Sequence, residues 1–215
     1  MLALFESAPA LAVAIILGLV VGIVLHEAAH ATSAYVLGDD TAYRAGRVTL
    51  NPASHLDVLG SLMLVMVGFG WGKPTPVVPS KLRGGIFGPV AVALAGPVSN
   101  LLIVAVCAVL YLLPVFQSGN LVLVIAAVAY ANALLFVFNL IPIPPLDGSK
   151  VIFPFLPRAL DGFVNFMNQY GPFILLGLIV LSFALNLPVF NYLLAPVQPL
   201  IAAFNLPTIL EAMNY

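Results

Sequence analysis

The stretch APALAVAIILGLVVGIVLHEAAHATSAYVL, residues 8–37, joins a long apolar run to two histidines and a glutamate. About 20 consecutive apolar residues are enough for a helix to cross a bilayer, so this stretch predicts a membrane-spanning helix. Ionisable residues inside such a helix indicate function by default, because each costs about 3 kcal/mol even on the lenient insertion scale. One segment therefore indicates both the fold class and the position of the chemistry.

The whole chain has the composition of an integral membrane protein. Of its 215 residues, 62% are hydrophobic and 7% are charged, whereas about a quarter are charged in soluble domains. The net charge of -1 and the lack of a basic run leave nothing to neutralise a phosphate backbone, so no nucleic-acid partner is expected. Cys107 is the single cysteine, which excludes a thiolate zinc cluster. A metal would be held by His, Asp or Glu.

Three further stretches are long and apolar enough to cross a membrane. They are 85–114, 121–142 and about 170–194. Glycines and prolines interrupt the segment 58–80, and residues 195–210 contain three prolines; this density favours re-entrant or interfacial structure. We therefore predict an all-α polytopic membrane protein with about four full transmembrane helices, a re-entrant or interfacial segment near 58–80 and a partly inserted C-terminal segment. We treat 1–215 as a single membrane-embedded domain.

The basic residues favour one orientation in the membrane. All seven fall on one face if the four spans cross once each and 58–72 returns to its own side; they are Arg44, Arg47, Lys73, Lys81, Arg83, Lys150 and Arg158. Cytoplasmic loops carry an excess of Lys and Arg, so this face is expected to be cytoplasmic and the N-terminus outside.

The pattern HEAAH, residues 26–30, predicts a zinc site. His26 and His30 are four residues apart, so on an α-helix they project from one face and can reach one ion. Glu27 is rotated by about 100° from His26 and can reach a water on that ion without being a ligand. Zinc then lowers the pKa of the water, and the glutamate takes its proton as it attacks a carbonyl. The alternative, that these side chains only pair with neighbouring helices or basic groups, needs three costly residues within five positions by coincidence.

A catalytic zinc site usually has three protein ligands, so one more must come from elsewhere in the chain. Asp147 follows the third span at the predicted cytoplasmic end, where the first span also ends. This convergence favours Asp147 as a ligand over a turn-forming role in its Asp-Gly pair. His55 and Asp57 lie in a loop on the same face and remain rival ligands.

Five ordered motifs resemble the site-2 proteases, a family of intramembrane zinc metalloproteases. They are HEAAH at 26–30, NPASHLDVLG at 51–60, GWGKPTPV at 70–77, AGPVSN at 95–100 and NLIPIPPLDG at 139–148. HEAAH alone would also suit many soluble metalloproteases, but the ordered set with the proline-rich LDG segment is specific. The resemblance covers about residues 20–160 and is to the short form of the family, without PDZ or CBS-type domains.

The resemblance implies a zinc metalloendopeptidase that cleaves a transmembrane helix of a membrane-protein substrate within the lipid bilayer, in regulated intramembrane proteolysis. One Zn²⁺ would be held by His26, His30 and Asp147, with Glu27 as the general base. Asn139 matches the family's asparagine and would bind substrate backbone or the developing oxyanion, although a packing role is equally open. His55 matches a histidine frequent in short members, and its role, substrate binding included, is open. The implied location is a plasma or inner cell membrane, with the active site toward the cytoplasmic half.

Other interpretations remain at this point. The same ligands would suit a metal transporter or sensor, although a glutamate between the histidines and a single obvious site disfavour it. A catalytically inactive relative that binds membrane helices is a further alternative, against which the intact Glu27 argues. Asn100 and Asn132, two polar residues within predicted spans, are interpreted as helix-packing or hydrogen-bonding residues.

Overall fold

The computed structural model describes residues 2–67, 70–185 and 187–213. Its α-helices are α1 (Leu2–Ser7), α2 (Pro9–Val36), α3 (Thr41–Arg44), α4 (Pro52–His55), α5 (Val58–Val67), α6 (Phe87–Tyr111), α7 (Gly119–Asn139), α8 (Asp147–Ile152), α9 (Asp161–Ala184), α10 (Val189–Leu193), α11 (Val197–Ala203) and α12 (Ile209–Ala212). Extended pairing within the described residues is limited to one antiparallel bridge between Leu56 and Gly72.

Four of these helices, α2, α6, α7 and α9, are long and apolar enough to cross a membrane. The prediction of an all-α polytopic membrane protein is confirmed, and the first three spans lie where the apolar runs placed them. The prediction was wrong about the start of the fourth, which begins at Asp161 rather than near 170. Residues 161–169, DGFVNFMNQ, mix polar with apolar side chains, so a criterion of continuous hydrophobicity missed the first turns of the helix. The assignment of 1–215 to one domain stays a prediction.

Helices α2, α6 and α7 pack against one another and form the centre of the fold. Two glycines on α2, four residues apart, let the other helices approach closely. A Cβ atom on Gly18 would lie 2.9 Å from Val128 Cα, and one on Gly22 would lie 2.6 Å from Asn132 Oδ1. Small residues at this spacing are typical of membrane helix interfaces, and here they bring buried asparagines of α6 and α7 against α2.

The segment 58–80 runs along the bundle, where Leu64 packs with Leu19 and Ala131, and returns to its starting point. Helix α5 goes out, and an extended stretch from residue 70 comes back, so that Gly72 pairs with Leu56. The Lys73 N–H donates to the His55 carbonyl at 2.7 Å. Both ends of the excursion therefore lie together, which fits the re-entrant interpretation; residues 68 and 69 of this segment lie outside the described part of the chain.

The C-terminal helices α10 to α12 are short, as the prolines of this region led us to expect. Val197, Ile201 and Leu206 pack with buried residues of α6 and α7 such as Val104 and Ala129. Helix α9 packs instead against the loop that leads into α8, where Leu175 contacts the cluster of Ile141 and Leu146. A cleft consequently remains between α9 and the three-helix centre.

Candidate metal and active site

His26, His30 and Asp147 converge at one buried point. The two histidines lie one turn apart on α2, and Asp147 is the first residue of α8. The Nε2 atoms of the histidines are 3.0 Å apart, and Asp147 Oδ2 lies 3.1 Å from His26 Nε2 and 3.0 Å from His30 Nε2. All three residues are buried, with 7%, 7% and 4% of their surface exposed. The structure thus brings together the three residues that the sequence singled out as ligands.

The hydrogen bonds made by the Nδ1 atoms of His26 and His30 determine which nitrogen of each imidazole carries the proton. His30 Nδ1 lies 2.7 Å from the Val92 carbonyl oxygen and His26 Nδ1 lies 2.7 Å from Asn100 Oδ1. Both partners are acceptors, so each Nδ1 carries a proton and each Nε2 presents a lone pair. Two lone pairs and a carboxylate oxygen cannot stabilise one another, so a proton or a metal ion must lie between them.

The donor set fits zinc. Zn²⁺ takes imidazole nitrogen and carboxylate oxygen at about 2.0–2.2 Å, and two ligands of a tetrahedral ion then lie about 3.3–3.4 Å apart. The observed separations of 3.0–3.1 Å are close to that value. Three protein ligands leave the fourth position for water or substrate, as catalytic zinc sites require. These residues form a group that could hold one metal ion.

Asp147 also has a basic neighbour. Lys150, one turn on along α8, donates from Nζ to Asp147 Oδ1 at 2.9 Å. The positive charge of Lys150 at this distance favours the ionised form of the carboxyl group. The carboxyl group is therefore ionised and able to bind a cation.

Glu27 projects beside the cluster and is held by the extended stretch. The backbone N–H of Thr75 donates to Glu27 Oε2 at 2.9 Å, and its hydroxyl donates to the same oxygen at 2.7 Å. The motif at 70–77 contains Thr75 but does not indicate its partner, because 48 residues separate the pair. These bonds orient the carboxylate at the cleft wall, where a general base would be needed.

The cleft has a volume of about 1050 Å³ and reaches all four residues of the candidate site. One wall is the extended stretch, including Trp71, Thr75 and Val77, and the opposite wall is α9, including Asn168 and Leu176. Apolar side chains dominate both walls, which suits a hydrophobic peptide. The site is thus accessible to a large ligand through the cleft.

The remaining predicted site residues lie in different places. Asn139 lines the cleft, and its Nδ2 donates to the Leu135 carbonyl at 2.9 Å. His55 is fully buried outside the cleft lining and binds the Thr49 carbonyl at 2.8 Å. His55 therefore lies apart from the metal cluster and the cleft lining, and its role stays open. Asp57 accepts a hydrogen bond from the Gly60 N–H in α5, so the structure does not bring the second rival ligand to the cluster.

Arg47 is a further residue that sequence reasoning missed. It is 4% exposed, and its guanidinium donates to the carbonyls of Ser54, Lys73 and Pro74. Five fixed donors suit a guanidinium for such clamping of backbone. Arg47 therefore ties the extended stretch to the loop before α5, and with it the stretch that orients Glu27.

Three known proteins are similar to the chain, and each is named as a zinc metalloprotease. The chain is 37% identical over 175 residues to "Putative zinc metalloprotease YwhC" of Bacillus subtilis, and the aligned region covers 77% of this chain and 80% of that protein. It is 31% identical over 186 residues to "Putative zinc metalloprotease Rip2" of Mycolicibacterium smegmatis, covering 80% of this chain and 68% of that protein. It is 31% identical over 132 residues to "Putative zinc metalloprotease MJ0611" of Methanocaldococcus jannaschii, covering 61% and 64%. No family model matches the chain, and no solved structure is significantly similar to it.

Proposed function

The chain belongs to the site-2 protease-like zinc metalloproteases, and on this premise we propose that it is an intramembrane endopeptidase. Its substrates are membrane proteins, cleaved in or near a transmembrane helix during regulated intramembrane proteolysis. One observation carries the proposal: the His26, His30 and Asp147 cluster opens into an apolar cleft bounded by membrane helices. A cleft of that kind admits a hydrophobic peptide that a water-exposed site would not select.

The chemistry divides among four side chains. His26, His30 and Asp147 would hold the zinc ion, which would supply Lewis-acid polarisation of the scissile carbonyl and acidification of a water. Glu27 accepts the proton of the attacking water and returns it to the leaving amine nitrogen. The two hydrogen bonds from Thr75 keep the Glu27 carboxylate directed at the reacting atoms.

The substrate is bound as an extended strand. A helical peptide bond is shielded by its own backbone hydrogen bonds, so the substrate helix must unwind before it is cut. The extended stretch 70–77 lines the cleft beside the zinc ligands, and the Val77 N–H has no partner among the described residues. An unpaired backbone edge can add a strand and supply sequence-independent hydrogen bonds. Asn139 lines the same cleft, which supports the proposal that it contacts substrate backbone.

The cluster of basic residues supports an orientation in a plasma or inner cell membrane. Lys150 borders the site, Lys73 lies on the extended stretch beside it, and Arg44 and Arg47 follow the end of α2. On the positive-inside rule this end of the bundle faces the cytoplasm. The active site then lies toward the cytoplasmic half of the membrane, with the N-terminus outside.

Cleavage of a model transmembrane substrate in detergent micelles tests the proposal. The wild type should cleave, and both Glu27→Gln and zinc chelation should abolish cleavage, while Glu27→Gln keeps its zinc. A protein that binds zinc but cleaves none of a panel of helices would support a transporter or an inactive helix-binding relative. Cleavage by the Glu27→Gln variant at the wild-type rate would overturn the assignment of Glu27 as the general base.

Strand addition needs its own test. Val77→Pro removes the backbone N–H of Val77, which has no partner among the described residues, so folding and zinc content should change little. We expect cleavage to fall at least tenfold. Val77→Ala, which keeps the N–H, is the matched control and should cleave nearly as well as the wild type; equal cleavage by both variants would refute strand addition at this residue.

A further inference from the structure

We propose that Asn100 and Asn132 are positioning residues that hold His26 in the tautomer that binds zinc. The inference rests on the proposed zinc site but concerns two side chains that do not touch the metal. Both are fully buried, one on α6 and one on α7. Together they form a relay of hydrogen bonds that runs from backbone carbonyls to the Nδ1 atom of His26.

The direction of the relay follows from its far end. Asn132 Nδ2 lies 3.2 Å from the Gly18 carbonyl oxygen and 2.9 Å from the Val128 carbonyl oxygen. Carbonyl oxygens only accept, so the NH₂ group of Asn132 must point toward them. Its Oδ1 then faces the next residue of the relay, where it lies 3.0 Å from Asn100 Nδ2.

The same argument determines the orientation of Asn100. Its Nδ2 has two acceptors, Asn132 Oδ1 at 3.0 Å and the Gly22 carbonyl at 3.2 Å. Its Oδ1 therefore faces His26 Nδ1 at 2.7 Å and can only accept. His26 must carry its proton on Nδ1, and the Nε2 lone pair is left for the metal. A flipped Asn100 amide would force the proton onto Nε2 and block coordination.

The second histidine is held differently, which makes the relay specific to His26. His30 Nδ1 donates directly to the Val92 backbone carbonyl at 2.7 Å, a contact that no side-chain substitution removes. His26 instead depends on two side chains that can be replaced. Partners that orient a metal-binding histidine typically change metal affinity by about 10- to 100-fold when removed.

Zinc affinity, measured by chelator competition in detergent, tests the proposal without any protease assay. Asn100→Leu should weaken zinc binding by about 10- to 100-fold, whereas Asn100→Asp, which keeps an acceptor for His26 but loses the donor to Gly22 and Asn132, should weaken it less. Asn132→Leu should weaken binding less, because the Gly22 carbonyl still holds Asn100. Ser99→Ala removes a hydroxyl on the same helix whose one hydrogen-bond partner among the described residues is the Gly96 carbonyl, and it should leave zinc affinity unchanged.

The double variant separates positioning from packing. Because Asn132 acts only through Asn100, adding Asn132→Leu to Asn100→Leu should cause no further loss of zinc affinity, as expected for two residues coupled in one hydrogen-bond network. The d–d spectrum of the Co²⁺-substituted protein should change in Asn100→Leu and not in Ser99→Ala. Additive losses of zinc affinity, or wild-type affinity in folded Asn100→Leu, would overturn the inference.

The outcomes also distinguish this inference from the proposed function. If the wild type binds zinc and loses it with Asn100→Leu but cleaves no helix, the relay stands and the protease assignment fails. If Glu27→Gln abolishes cleavage while Asn100→Leu keeps both zinc and its cobalt spectrum, the protease assignment stands and the relay fails.

Discussion

A single methyl group at residue 96 should destroy the metal site. Gly96 lies on α6 directly against the two histidines, and a Cβ atom built there would lie 2.6 Å from both Nε2 and Cε1 of His26 and close to His30 Nε2 as well. Ordinary contacts of a Cβ atom begin at 3.4 Å. Gly96→Ala therefore requires His26 to move by about 0.8 Å.

The surrounding contacts decide where that displacement goes. Helix α6 cannot simply retreat, because Val92 binds His30 and Asn100 binds His26 one turn to either side of Gly96. Zinc–ligand distances tolerate changes of only about 0.2 Å. A displacement several times larger, at the position of the ligand atoms themselves, should weaken zinc binding by about 100-fold, the upper end of the loss that follows when only an outer partner of a ligand is removed.

Zinc affinity and helix cleavage, measured on the same detergent preparation, are the assays. Thermal stability without zinc should change little, because alanine favours a helix over glycine by about 0.5–1 kcal/mol and so offsets part of the crowding. Gly177→Ala is the matched control: it lies within α9, and its Cβ would meet nothing within 4 Å. Wild-type zinc affinity in Gly96→Ala would refute the packing argument.

Three other perturbations have definite expected outcomes. Thr75→Val removes one hydrogen bond to the Glu27 carboxylate and should lower kcat about tenfold, the equivalent of about 1.4 kcal/mol, while zinc affinity stays unchanged. Thr75→Ser keeps the hydroxyl and should retain most of the wild-type rate. Equal rates in the two variants would contradict this role of Thr75. Burial raises the pKa of Asp39, but hydrogen bonds from Thr41 and Val78 to its carboxylate have the larger effect and hold the pKa below its usual value. The ionised carboxylate therefore stabilises the fold above its unfolded pKa of about 4. This stability is lost as pH falls through the folded pKa. Asp39→Asn should therefore lower the free energy of unfolding by about 2 kcal/mol at neutral pH. Its unfolding temperature should fall less steeply with decreasing pH than that of the wild type. The same pH dependence in both proteins would argue against this role of the Asp39 carboxylate. Zinc at about 100 times its Kd should stabilise the apo protein by about 2.7 kcal/mol, measured as a higher unfolding temperature that a chelator reverses. Magnesium prefers six oxygen ligands and should not reproduce this shift. An equal shift with magnesium would contradict a zinc site.

The local features of the site were predictable because they depend on residues close in the chain. HEAAH places His26 and His30 on one face of any helix that contains them, and three of the four spans follow from apolar runs alone. Asp147 could be selected because spans one and three end on the same side of the membrane. The fourth span was placed too late because its first two turns are amphipathic, and a hydropathy criterion detects only continuous apolar runs.

Other signals were present in the sequence without revealing what they contact. Gly18 and Gly22 form a spacing typical of close helix packing, and Asn100 and Asn132 were interpreted as hydrogen-bonding residues. The identity of their partners depends on how α2, α6 and α7 are rotated against one another. His55 was assigned an open functional role, and only the tertiary structure showed that its side chain is buried outside the cleft lining.

By itself the sequence determined a membrane-embedded helical protein, a pair of histidines on one helix face and a carboxylate able to join them, because helix periodicity and hydrophobicity are local properties. The tertiary structure decided which atoms meet. His26 contacts Asp147, which is 121 residues away in the chain, and Asn100, which is 74 residues away. Glu27 contacts Thr75, which is 48 residues away. Such contacts depend on interhelical distances of a few ångströms, set by glycines that allow close approach and by buried polar groups that must all find partners. Those requirements act on the folded chain as a whole, and no short stretch of the sequence states them.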